Sequence, residues 1–131
     1  MFCALLLSST LAAAAPRTPA PDDAVAYIIA PAHGETVGRV FTVKFGLRGM
    51  GVAPAGVTKP NTGHHHLLID GEITRFDQAM GKNVRHFGGG QTEVTLELPP
   101  GRHTLQLILG DHRHVPHEPP VMSQKITVFV K

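Results

Sequence analysis

Short runs of alternating apolar and polar residues, separated by turn residues, make up most of this chain. In the run Val40–Leu47 every second residue is large and apolar, which predicts a strand with one buried face. Five further short apolar runs, most of them bounded by glycine or proline, also indicate strands. The six predicted strands are Val25–Ala30, Val40–Leu47, His65–Asp70, Thr92–Leu98, Thr104–Gly110 and Lys125–Val130.

This pattern predicts an all-β domain. We expect an immunoglobulin-like antiparallel β-sandwich of about seven strands, because many short strands separated by turns and little helical periodicity are typical of that class. Glycine (14) and proline (11) make up about a fifth of the 131 residues, as turn-rich β folds require. The long Gly49–Gly63 stretch is predicted to be a loop, and Glu72–Val84 an irregular or short helical connection.

The N-terminus predicts export. Residues 1–14 are apolar and end in small residues, as a signal peptide does, although no Lys or Arg precedes the apolar run. Residues 15–24 are predicted to be a linker, and residues 25–131 the sandwich domain. The single cysteine, Cys3, lies in the signal segment. The mature domain therefore has no disulfide and no thiolate for a blue-copper site, and we expect it in the periplasm or secreted.

Neither a nucleic-acid partner nor a transmembrane segment is predicted. The formal net charge is only +2, and the basic residues are scattered, so a nucleic-acid partner is not expected. The N-terminal apolar run is too short to span a bilayer, so no transmembrane segment is predicted.

Histidine is the unusual component, with nine residues against one tyrosine and no tryptophan. If the six strands are lettered A, B, C, E, F and G in chain order, the B–C, D–E and F–G loops meet at one end of an immunoglobulin-like sandwich. Six histidines fall at that end, whereas His33 and His103 fall at the other and are predicted to be surface or packing residues. The six candidate metal ligands are His64, His66, His86, His112, His114 and His117.

Strand alternation decides which imidazoles can act together. His64 and His66 share one face of their strand, whereas His65 points to the opposite face. His112 and His114 have the same spacing if their loop is extended. Imidazole nitrogens bind Zn(II) in tetrahedral sites and Cu(II) in tetragonal ones, so the predicted cofactor is Cu or Zn. Asp111 and the methionines of the mature chain are possible additional ligands.

The alternative is a structural role for the histidines. Buried imidazoles can hydrogen-bond the backbone groups of a long glycine- and proline-rich loop, so the six histidines would then form a network that holds three loops together. The chain has no C-x-x-C or H-E-x-x-H motif that would decide between a metal site and a structural network.

Several segments together resemble a known family. They include Asn61–Asp70 (NTGHHHLLID), His86–Glu93 (HFGGGQTE) and Leu98–Asp111 (LPPGRHTLQLILGD), followed by His114–His117. These motifs resemble a family of small exported bacterial proteins known as a domain of unknown function, over roughly Ala26–Lys131. The resemblance implies export and a single domain, and it supplies no activity and no catalytic residues.

Together these observations predict an exported metal-binding protein with a carrier or buffering role. Its partners would be the metal ion and an envelope or metal-handling protein. No catalytic residue is predicted, and binding is favoured over catalysis because no general base is evident. Two alternatives stay open: a cell-envelope interaction module with structural histidines, and a copper enzyme with an open coordination position.

Overall fold

Strands account for all the regular secondary structure in the computed structural model, which describes residues 16–131. The predicted signal peptide, residues 1–14, lies outside the described residues. Within the described range the fold is all-β, as predicted. The nine strands are β1 (Val25–Ala30), β2 (Thr36–Val37), β3 (Val40–Arg48), β4 (Gly51–Val52), β5 (Thr62–Ile69), β6 (Arg85–His86), β7 (Glu93–Glu97), β8 (Gly101–Gly110) and β9 (Ile126–Val130).

The strands form two sheets. The smaller sheet has the order β1-β3-β7, and the larger has the order β2-β9-β8-β5-β4, with β6 also paired to β5. The sets β1-β3-β7 and β9-β8-β5 have the strand order A-B-E and G-F-C of an immunoglobulin-type sandwich. The predicted β-sandwich is therefore confirmed, and its six long strands lie within a few residues of their predicted bounds.

The core lies between the two sheets. Alternate residues of β5 and β8 face inward, and Leu67 lies opposite Leu107 in the antiparallel ladder. Both side chains are fully buried, together with Val43 of β3 and Leu96 of β7. This burial follows from the period-two pattern of the sequence, since each inward side chain removes its apolar surface from water.

A second, smaller apolar cluster covers the outer face of the large sheet. Leu68 of β5 and Ile108 of β8 point away from the main core, and Met80 and Val84 from the segment before β6 pack on them. This segment belongs to Glu72–Val84, the stretch predicted to be an irregular or short helical connection. It forms no helix, and among the described residues no helix has the length and apolar character needed to span a membrane.

The stretch predicted to be a linker packs against the domain. Pro19 forms a parallel bridge with Glu118, and the amide of Ala20 donates to the carbonyl of Glu118 at 3.0 Å. The Arg17 guanidinium donates to the carbonyl of His117 and pairs with the Glu118 carboxylate. Residues 17–20 therefore attach to the loop that follows β8.

Candidate metal centre

Strand β5 places two imidazoles side by side on the outer face of the large sheet. His64 and His66 are fully buried, and their ring centroids lie 4.5 Å apart. His65 points into the main core, where its ring lies 5.2 Å from that of Phe45. The sequence predicted this division of the triplet from strand alternation alone.

The opposite strand leaves room for these rings. Gly110 lies opposite His64 in the β5–β8 ladder. A Cβ on Gly110 would overlap Cε1 of His66 and would lie 3.0 Å from Cε of Met80. Glycine is therefore required here for packing, because the His66 ring occupies the space of the missing side chain.

The loop after β8 brings in a third imidazole. His114 adopts a left-handed backbone conformation (φ 64°), which histidine tolerates better than most residues. Its Nδ1 lies 2.9 Å from Nε2 of His64 and 3.2 Å from Nε2 of His66. One ring nitrogen from each of His64, His66 and His114 lies within 4.8 Å of the corresponding nitrogens of the other two residues. The three histidines can therefore hold a metal ion.

Asp111 shapes that loop. Its Oδ1 accepts hydrogen bonds from the backbone amides of Arg113 (2.8 Å) and Val115 (3.0 Å). Its Oδ2 accepts the hydroxyl of Thr18 at 2.7 Å. Burial raises the pKa of Asp111, but these hydrogen bonds outweigh burial and leave the pKa below its usual value. The carboxylate is therefore ionised, and its oxygens accept hydrogen bonds that hold the loop in place.

A fourth imidazole lies at the margin of this group. His86 of β6 pairs with His66 in the β5–β6 ladder, and its Nδ1 lies 3.1 Å from Nδ1 of His114. Unlike His64 and His66, His86 is exposed. It is not part of the three-residue group whose nitrogens all lie within 4.8 Å of one another.

Backbone carbonyls select the tautomers of two of these rings. Nε2 of His86 lies 2.9 Å from the carbonyl of Gly81, and Nδ1 of His66 lies 3.2 Å from the carbonyl of His64. A carbonyl only accepts, so each of these nitrogens carries the proton and donates. The other nitrogen of each ring, Nδ1 of His86 and Nε2 of His66, therefore presents a lone pair toward His114. Backbone partners commonly orient metal-binding histidines in this way.

Burial also keeps His64, His66 and His114 uncharged. It lowers the pKa of His64 to about 4 and that of His66 to about 2, with further lowering from the neighbouring imidazoles. Burial likewise lowers the pKa of His114. These rings are neutral at physiological pH, which is the form that binds metals.

The structure places the other two candidates outside the cluster. The loop from Asp111 to Val115 is a tight turn, in which the His114 amide donates to the Asp111 carbonyl at 2.9 Å. His112 and His114 therefore do not have the extended spacing that would bring both rings to one site. His117 is fully buried, and its Nε2 lies 3.2 Å from the carbonyl of Thr62.

The residues that position the candidate ligands were not predicted from the sequence. Asp111 was predicted as a possible additional ligand, but its Oδ1 accepts hydrogen bonds from loop amides and its Oδ2 accepts one from Thr18. The roles of Gly110 and of the Gly81 carbonyl have no signal in the local sequence. His103, predicted to be a surface or packing residue, hydrogen-bonds the Asp70 carboxylate at 2.6 Å and the Pro99 carbonyl at 2.8 Å.

Comparison with known proteins gives a family without an activity. A family model described as a domain of unknown function (DUF4399) matches residues 43–131, a range that includes all four clustered histidines. Searches of curated proteins and of solved structures found no match.

Proposed function

The chain belongs to the DUF4399 family, a domain of unknown function, and we propose that it is an exported protein that binds one Cu(II) or Zn(II) ion through His64, His66 and His114. A carrier or buffering role in the periplasm fits this site. The proposal of export rests on the N-terminal sequence, whereas the proposal of metal binding rests on the geometry of the imidazoles.

One observation carries the metal proposal. Nδ1 of His114 has three imidazole nitrogens within 3.2 Å: those of His64, His66 and His86. A ring nitrogen has a single in-plane position, holding either a proton or a lone pair, so it forms one good hydrogen bond. Three neighbours exceed that capacity, and at least two of the neighbouring nitrogens, Nε2 of His66 and Nδ1 of His86, carry lone pairs. Nitrogen lone pairs directed at one point are the arrangement that a shared cation stabilises.

The same observation argues against a purely structural network. In such a network each buried ring nitrogen should have its own partner, because an unpaired buried polar atom costs roughly 1–3 kcal/mol. In this cluster Nε2 of His64, Nε2 of His66 and Nδ1 of His86 instead share a single neighbour, Nδ1 of His114. A bound ion would occupy these lone pairs and offset part of that cost.

Metal titration of the chain, expressed with its own N-terminal segment and without a histidine tag, tests the proposal. We expect one Zn(II) or Cu(II) per chain with sub-micromolar affinity. The variant His114→Gln should lose at least about a hundredfold in affinity, in keeping with loss of one of three ligands. His112→Gln is the matched control, because it changes a histidine of the same loop that lies outside the cluster. Equal effects of both variants, or micromolar binding by the wild type, would contradict the proposed three-histidine site.

A further inference from the structure

The four imidazoles of the cluster differ in how strongly the surrounding structure restrains them; they belong to His64, His66, His86 and His114. His64 and His66 are fully buried on β5, an eight-residue strand paired on both sides. His114 lies on a loop tied down by the buried Asp111 carboxylate. His86, in contrast, is exposed on a strand of only two residues. One member of the cluster can therefore move without disturbing the core.

Few contacts fix His86 in place. The ladder between β5 and β6 has two residue pairs, and the ring itself is held by the Gly81 carbonyl at 2.9 Å. Gly81 lies in an exposed turn that precedes β6. Val84 and Phe87, which flank β6, are buried, so movement is confined to the exposed His86 side chain, which can rotate while the β6 backbone stays in place.

The surface next to His114 is lined by small residues. A Cβ on Gly88 would lie 4.0 Å from Cε1 of His114 and 3.3 Å from Cβ of Ala55. Both Gly88 and Ala55 are half-buried, and Gly88 lies near Cε1 of His114, the carbon between the two ring nitrogens. A donor group from a second molecule approaching along this side meets no bulky side chain at these two positions.

We infer that His86 is the exchangeable fourth ligand of the metal site, and that it gives way to a donor from a second molecule when the ion enters or leaves. This inference rests on the proposed metal binding. His64, His66 and His114 keep the ion, and loss of His86 opens one coordination position. The incoming group is a neutral nitrogen donor, such as the imidazole of a metal-carrying protein, which replaces one imidazole by another with no change in charge.

Co(II) and Zn(II) binding to the variants His86→Ala and His86→Gln tests this assignment. Co(II) absorption reports the coordination number, and transfer of Zn(II) to a chromophoric chelator, followed by stopped flow, reports the release rate. We expect both variants to bind one ion with affinity reduced by about tenfold, to release Zn(II) at least about tenfold faster, and to show an altered Co(II) spectrum. Added imidazole should restore a wild-type-like Co(II) spectrum in His86→Ala.

The outcomes separate this inference from the proposed function. Absence of stoichiometric metal in the wild type would overturn both. If the wild type binds one ion and the His86 variants keep its spectrum and release rate, His86 is not a ligand and the inference alone fails. If the variants lose stoichiometric binding, His86 is a required ligand rather than an exchangeable one, and the inference also fails. His112→Ala is the matched control and should leave the spectrum and the release rate unchanged.

Discussion

The Thr18 hydroxyl donates a hydrogen bond of 2.7 Å to Oδ2 of Asp111, which holds the loop that presents His114. A residue near the start of the described chain thus supports the candidate metal site, although the two residues are 93 positions apart in sequence. Residues 17–20 add to this connection through their backbone bridge to Glu118.

Removing that hydroxyl should loosen the loop. The variant Thr18→Val keeps the shape of the side chain but leaves Oδ2 of Asp111 without its donor, so we expect a loss of about 1 kcal/mol in stability and a several-fold loss in metal affinity. Thermal unfolding and Zn(II) titration measure both effects. Thr42→Val is the control, because Thr42 pairs with Thr95 on the outer face of the small sheet. Equal metal affinity of the two variants would exclude this role of Thr18.

The glycine at the end of β8 should be essential for the site. In Gly110→Ala the new methyl group would overlap the His66 ring and press on Met80, so His66 has to leave its position. We expect at least about a tenfold loss in metal affinity and a lower melting temperature. Gly38→Ala, where the nearest atom to the new Cβ is 3.8 Å away, should change neither quantity. Unchanged metal binding in Gly110→Ala would show that the His66 ring is not confined as described.

The core imidazole should make stability depend on pH. Burial lowers the pKa of His65 to about 4, whereas the unfolded chain titrates near its ordinary value of 6.5. Above pH 6.5 His65 is neutral in both states, and the free energy of unfolding is at its full value. As the pH falls from 6.5 toward 4, only the unfolded state takes up the proton, so the free energy of unfolding decreases. The full loss is about 3 kcal/mol for this residue.

Replacing that imidazole by an apolar side chain tests this dependence. Both ring nitrogens of His65 are buried without a hydrogen-bond partner among the described residues, so His65→Leu should raise stability and reduce its fall between pH 6.5 and 4. Urea unfolding of the metal-free protein across this pH range is the measurement. A steeper fall in the variant than in the wild type would refute the assignment.

At the other end of the sandwich, His103 should make stability depend on pH with the opposite sign. The hydrogen bond to the Asp70 carboxylate raises the pKa of His103 above 6.5, and the Pro99 carbonyl adds to this effect. The stabilisation is therefore complete below pH 6.5 and is lost as the pH rises through the raised value. In Asp70→Asn, the pKa measured by NMR titration should return toward 6.5. Asparagine tolerates the left-handed conformation of residue 70 (φ 56°), so the backbone should be preserved.

The sandwich could be predicted because its information is local. Strict alternation predicted β3, a short apolar run predicted β5, and the immunoglobulin strand order then placed the histidine-bearing ends of β5 and β8 together. The pairing of His64 with His66, and the opposite orientation of His65, followed directly from this alternation.

The selection among the remaining histidines could not be predicted because it depends on distant contacts. His114 joins the site and His112 does not, because Asp111 closes a tight turn, so the extended loop that would have paired the two histidines is not formed. Similarly, β6 exists only through its pairing with β5, and the outer apolar cluster forms only where Met80 and Val84 fold back onto Leu68. None of these relationships has a periodic signal in the chain.

The division of the histidine triplet between two faces has an evolutionary consequence. Because the same strand carries the site on one face and the core on the other, deletion of a single residue within β5 would invert every side chain beyond that point. A deletion before His66 would turn Leu67 outward and His66 inward, so the histidine cluster and the core packing would be lost together. Point substitutions can change these histidines one at a time, but insertions or deletions of an odd number of residues in β5 should be selected against, because they reverse both faces at once.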